Sequence, residues 1–213
     1  MKSRSVAVAL VAGLLSFGGE DASGAMWHFE FLGTQSVTGG DVDVWDMFIE
    51  LDAPARVLNV FEANLSTSGT IYQTGAPFGS DTAPNSGFFG FDADLQWDSF
   101  VTIGDADSAD GNDTTTDPDF AFGSNTISGG WFDSNPSTHD GQTDANNRAY
   151  AGRISLIAGA RAAAVPFLGD AFVTYVTPSD DLIQEYIIPY PTPGTGVLML
   201  AGLGVASRRH RED

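Results

Sequence analysis

Apolar side chains in the middle of the chain come in short runs rich in Val, Ile, Phe, Trp and Tyr, and clusters of Gly, Asp, Asn and Pro separate them. Short runs of β-branched and aromatic residues punctuated by turn formers predict strands. The predicted strands are Trp27 to Leu32, Val42 to Leu51, Arg56 to Leu65, Phe88 to Phe91, Ser99 to Ile103, Ala149 to Ile157, Ala171 to Val176 and Leu182 to Ile188. In the second, Trp45, Met47, Ile49 and Leu51 alternate with Val42, Val44, Asp46, Phe48 and Glu50. Period-2 geometry sends these sets to opposite faces, and the Trp45 set is the one expected to face inward. Asp52-Ala53-Pro54 reads as a turn, which makes Arg56 to Leu65 the expected antiparallel partner of Val42 to Leu51.

No segment between the ends of the chain keeps a helical period beyond two turns. The Ala-rich stretch Ser155 to Val165 reads as either a short helix bracketed by Gly159 and Pro166 or a loop. Thr67 to Ser86 and Gly104 to Asn147 hold most of the Gly, Ser, Thr, Asp and Asn and read as long loops, where binding tends to reside. Short strands joined by long loops predict an all-β fold, an antiparallel β-sandwich of about eight to ten strands with a jelly roll as one candidate topology. No fixed-period repeat supports a propeller or solenoid.

The two ends follow a different grammar. Lys2 and Arg4 precede an apolar run from Val6 to Phe17, and Ser23-Gly24-Ala25 supplies the small residues that a signal peptidase needs, so residues 1–25 read as a signal peptide and Met26 as the first mature residue. At the other end, the prolines of Pro189 to Pro193 remove backbone donors and hold the chain extended. The segment from Gly194 to Ala206 is uncharged, and Val197, Leu198, Met199, Leu200, Leu203 and Val205 cover every side of a helix, unlike a core-packed amphipathic one. Such a helix would span roughly 20 Å against a hydrocarbon core of about 30 Å. Arg208, Arg209 and Arg211 follow as a positive stop. With basic clusters outside both apolar segments, the positive-inside rule leaves everything between them on the far side of the membrane.

This tail, Pro191-Thr192-Pro193, then Val197 to Ala206, then Arg208-Arg209-His210-Arg211, resembles the PEP-CTERM sorting signal of Gram-negative bacteria that make an extracellular polymeric matrix. Thr192 stands where the family's name puts Glu. The resemblance implies a sorting motif at Pro191, Thr192, Pro193, Gly194, Arg208, Arg209 and Arg211, and an exosortase-like membrane enzyme that cuts near it. It also implies an inner-membrane intermediate followed by release to the cell surface or exterior. It covers about a tenth of the chain and implies no activity for residues 26–188, read as one domain.

Net charge is −19, and between the terminal segments the only cations are Arg56, Arg148, Arg153 and Arg161. Such a surface repels nucleic acid and anionic headgroups, which excludes nucleic-acid binding. There is no cysteine, so disulfides, thiol nucleophiles and thiolate metal sites are excluded.

Chemistry-bearing residues concentrate in the second long loop. Asp105, Asp107, Asp110, Asp113, Asp117 and Asp119 form a dense acidic run, read either as a hydrated loop or as an oxygen-ligand site for calcium built on Asp105, Asp107, Asp110 and Asp113. Its spacing misses the EF-hand pattern. Trp131 and Phe132, after Gly129-Gly130, read as a loop platform on which a sugar ring could stack, whereas Trp45 reads as core. Glu30, Glu50, Glu62, Asp92, Asp94 and Asp98 include candidates for a glycosidase acid pair, although acids alternating on strands also make an ordinary wet face. His139-Asp140 beside Ser137 lacks the Gly-x-Ser-x-Gly elbow of a hydrolase, and His28 stands alone on the first strand. The sequence therefore favours a non-enzymatic, exported envelope or matrix protein. A carbohydrate-binding module and, behind it, a glycan-active hydrolase are the alternatives.

Overall fold

The computed structural model describes residues 24–75, 77, 79–110, 113–135, 137–138, 140–157 and 167–187, with the side chains of Asp110 and Phe167 not among them. The expected signal peptide up to Ser23, most of the Ala-rich stretch, His139 and all of the segment expected to be a sorting tail, including Pro191, Thr192, Pro193, Gly194, Arg208, Arg209 and Arg211, lie outside the described residues. Among the described residues no helix is long and apolar enough to cross a membrane.

The described chain is largely antiparallel β-structure in two sheets, as the alternating apolar runs require. The four-stranded sheet has the order β1 (Met26–Val37), β2 (Gly40–Glu50), β8 (Arg148–Ile157), β4 (Phe100–Val101). The six-stranded sheet runs β10 (Leu182–Ile187), β9 (Phe167–Val176), β3 (Arg56–Thr67), β7 (Thr126–Asp133), β5 (Thr114–Thr116), with β6 (Ala121–Phe122) also on β7. The β1–β2 hairpin turns through Thr38-Gly39, where Gly39 takes φ of +99°, a left-handed geometry that glycine adopts without steric cost.

One core takes side chains from both sheets. Trp27, Met47, Ile49, Ile154 and Leu156 come from the four-stranded sheet, and Val60, Leu65, Ile127, Trp131 and Val173 from the six-stranded one. Trp45, Met47, Ile49 and Leu51 are buried as the alternation of β2 predicts. Ala25 is also buried, and its N–H donates to Glu185 Oε2 at 3.2 Å, while the N–H of Gly24 donates to Asp52 Oδ2 at 2.9 Å.

Three expectations about the strands are corrected. First, β2 and β3 do not pair. Both edges of β2 are occupied, by β1 and β8, so the chain crosses at Asp52-Ala53-Pro54 into the other sheet. The start of β3 is instead satisfied by the loop at 141–147, with Val57 N–H donating to Gly141 O at 2.9 Å and Thr143 N–H to Ala55 O at 3.0 Å. Second, Phe88 to Phe91 is not a strand. Asn85 accepts from Gly87 N–H at 2.8 Å and caps a 3₁₀ turn over Ser86–Phe88, leaving Phe91 exposed.

Third, the stretch Gly104 to Asn147 contains β5, β6 and β7. Gly129 and Gly130 are strand residues because other backbone lies where their side chains would be. A Cβ on Gly129 would stand 2.6 Å from Phe120 Cα, and one on Gly130 would stand 2.8 Å from Val60 O. Opposite them β3 bulges, with Glu62 at φ 52°.

Candidate functional site

The tandem aromatics at 131–132 divide between the two faces of β7. Trp131 is 0 % exposed, stacks on Trp27 and donates its indole N–H to Thr102 O at 3.0 Å, so it offers no ring face to a ligand. The expected loop platform is corrected on this point: a strand residue in register with Val60 must face the core when Val60 does. Phe132, one residue on, points to the opposite face and is half-buried there.

On that outer face the register aligns two rows. Phe132, Asn59, Thr174 and Gln184 lie opposite one another across β7, β3, β9 and β10. Two residues along, Phe61, Phe172 and Tyr186 lie across β3, β9 and β10. Phe61 stacks on Phe172 with centroids 5.4 Å apart and planes at 19°, and Tyr186 meets Phe172 edge-on at 5.5 Å. Tyr186 is 43 % exposed, Phe61 and Phe172 are half-buried, and Asn59 Oδ1 is a buried acceptor without a partner among the described residues. The result is a ladder of rings packed on one another beside amide and hydroxyl groups, which offers a ligand apolar ring surface with hydrogen-bonding groups at its side. Alternation within β3, β9 and β10 was readable in the sequence, but the pairing that assembles the ladder was not.

The outer face of the four-stranded sheet is ionic. Arg148 joins Glu50, at 2.8 Å from its Nε, to Glu30, at 3.0 Å from its Nη1, and His28 lies 3.4 Å from Glu30 and 3.5 Å from Glu50. Two of the acid candidates therefore meet, but around a shared cation rather than across a cleft. His28 has acidic neighbours on both sides. Deeper, Arg153 Nε and Tyr150 OH both reach Asp46 Oδ1, at 2.8 and 3.0 Å, and the guanidinium carbon lies 5.9 Å from the centroid of Trp97. Burial works against the charge of Arg153, but the Asp46 carboxylate and Tyr150 hold its pKa up; burial and the Asp46 charge push the Tyr150 phenol upward.

Among the other acid candidates, Asp94 accepts the Thr38 N–H at 2.8 Å, and Asp92 caps the 3₁₀ turn over Ala93–Trp97. Both edge a surface cleft of about 370 Å³ shared with Tyr72, Gln73 and Thr74. Asp98 is buried, accepting the Thr74 N–H at 2.7 Å and the Ser99 N–H at 2.9 Å. Burial pushes its pKa from 3.8 up to about 7, against those hydrogen bonds.

The acidic run disperses. Asp107 accepts from Ser86 N–H at 2.9 Å and Ala109 N–H at 2.8 Å, and these bonds hold its carboxyl low against the burial that would raise it. Asp105 uses its carbonyl to accept from the Thr102 hydroxyl, and Asp113 turns away to Asn135 Nδ2 at 2.9 Å. Among the described residues no three His, Asp or Glu side chains form a ready metal cage. Asp105, Asp107 and Asp113 are thus not brought together as a calcium site, and the Asp110 side chain lies outside the described residues.

Compared with known protein families, characterised proteins and solved structures, the chain matches none.

Proposed function

We propose that this chain is a non-enzymatic protein of the cell envelope or extracellular matrix, exported through its signal peptide and sorted by an exosortase-like enzyme acting on the C-terminal tail. In this reading the two sheets pack face to face as a β-sandwich, with the shared core supporting that arrangement. The observation that carries the proposal is the three-part tail: the Pro191-Thr192-Pro193 break, the uncharged segment to Ala206 and the terminal arginines. Residues between the ends supply a strongly acidic, cysteine-free body suited to an aqueous exterior, held by packing rather than disulfides. Replacing Arg208, Arg209 and Arg211 together by Gln removes the positive stop. The variant is expected to lose its place at the cell surface and accumulate uncut, and a surface distribution equal to wild type would contradict the proposal.

A second reading is favoured by the ring ladder. Phe61, Phe172, Tyr186 and Phe132 beside Asn59, Thr174 and Gln184 form an aromatic row flanked by polar groups on one outer sheet face, suited to packing against an extended polysaccharide without turnover. Pull-down on matrix polysaccharide tests it: Phe172→Ala and Tyr186→Ala should lower retention several-fold, and retention equal to wild type would reject this face.

A further inference from the structure

Ala25 precedes β1, is 0 % exposed and belongs to the core that both sheets share. Its N–H donates to Glu185 Oε2 at 3.2 Å. Glu185 lies on β10 opposite the buried Val173, on the inward side of that strand. Strands β1 and β10 end the two sheet orders, so this bond joins an edge of one sheet to an edge of the other. The charges around it are negative. Burial and then the Glu185 carboxylate push the Tyr175 phenol up to about 12, with a smaller push from Asp52, and Asp52 Oδ2 accepts the Gly24 N–H at 2.9 Å.

A chain that began at Met26 would lose this arrangement. Its core would lack the Ala25 methyl, and Glu185 Oε2 would lose the Ala25 donor. One bond earlier, Ala22-Ser23-Gly24 presents small residues at the same two positions as Ser23-Gly24-Ala25 does. Ser16-Phe17-Gly18 is similar, but Phe17 ends the apolar run and leaves no stretch between it and the cut. A signal peptidase acts on the chain before it folds, so the sequence sets which bonds can be cut, and the fold shows which product keeps its core.

We propose that the export peptidase cuts between Gly24 and Ala25, and that the new N-terminal ammonium of Ala25 pairs with Glu185 to clasp β1 to β10. Water adds across the Gly24–Ala25 amide: its oxygen goes to the Gly24 carbonyl carbon, the C–N bond breaks, and both its protons end on the Ala25 nitrogen. The products are a Gly24 carboxylate on the released peptide and an Ala25 ammonium on the domain. An α-amino group titrates at about 8, so it is charged at pH 7. The nitrogen that donates one N–H to Glu185 then carries three donors and a full charge against a half-buried carboxylate, a stronger bond than an amide makes. Release of Gly24 also frees Asp52 Oδ2 from its N–H, which leaves a second carboxylate acting on the same charge. The cut rests on the reading of residues 1–25 as a signal peptide and places the end of that peptide one residue earlier.

N-terminal sequencing of the protein recovered from its exporting cells tests the cut, and Ala25 is the expected first residue. A first residue of Met26, or any other processed start, would overturn the assignment and leave export standing, whereas a chain still beginning at Met1 would overturn both. The clasp has its own readout, because Lys2 is the only lysine and the processed chain therefore has a single amine, its N-terminus. An amine-reactive ester at pH 7, followed by intact mass, should label the folded wild type slowly and Glu185→Gln several-fold faster. Equal rates would overturn the ion pair. Should Glu185→Gln fail to fold, the wild type decides alone: its amine is expected to label several-fold more slowly folded than in urea, and equal rates in the two states would overturn the clasp.

Discussion

The indole of Trp27, from the four-stranded sheet, stacks on that of Trp131, from the six-stranded sheet, with ring centroids 6.4 Å apart and planes at 24°. Phe120 meets Trp131 edge-on at 6.0 Å, so this one side chain joins both sheets and the β5–β7 connection. Cysteine is absent, and contacts of this kind are what tie the sheets together.

Truncating Trp131 therefore opens a large cavity between the sheets. Trp131→Ala should cost about 3–5 kcal/mol, read as a fall in the urea midpoint at unchanged slope. Trp131→Phe should cost less, through the lost bond to Thr102 O and part of the volume. A loss below about 1 kcal/mol for the Ala variant would mean the ring is not in the core.

The two arginines of the four-stranded sheet should behave differently. Arg153→Ala strips the cation from a half-buried Asp46–Tyr150 pair and should cost about 2 kcal/mol. Arg148→Ala removes bridges to two more exposed glutamates and should cost about 1 kcal/mol or less, shrinking further in salt. Denaturant melts at low and high salt check both. The reverse order would contradict the network as described.

Asp98 sets a pH dependence with a definite sign. Its folded pKa of about 7 lies above the usual 3.8, so the folded protein binds the proton more tightly. The stabilisation is full below pH 3.8 and is lost as pH rises through about 7. Lowering pH from 8 to 5 should raise the melting temperature, an effect of up to a few kcal/mol. Asp98→Asn keeps the acceptor for the Thr74 and Ser99 N–H groups without the charge, and should be the more stable form at pH 8 and flatten the profile. Parallel pH profiles for variant and wild type would contradict this role.

How far the sequence reveals the fold depends on whether a feature is local. The inward face of β2 follows from alternation alone, and Trp45, Met47, Ile49 and Leu51 are where it puts them. Pairing is a competition for strand edges across the whole chain. The turn at Asp52-Ala53-Pro54 therefore could not reveal that β1 and β8 already flank β2. Strand β7 is masked in the sequence by Gly129-Gly130, which reads as a loop; only the fold shows the Phe120 backbone crowding the first and the β3 backbone with Asp117 crowding the second. Once β7 is a strand, alternation through Ile127, Gly129, Trp131 and Asp133 puts Trp131 and Asp133 on the inward face, where both are buried. The ring ladder was illegible because Phe61, Phe172 and Tyr186 are far apart in sequence and meet only through register.

The central claim is export with processing at both ends, and intact-mass measurement on fractionated native cells tests it most directly. The account predicts a chain shortened at its N-terminus near Ala25 and at its C-terminus near Pro193, found at the cell surface or in the medium. An unprocessed chain of 213 residues dissolved in the cytosol would contradict it.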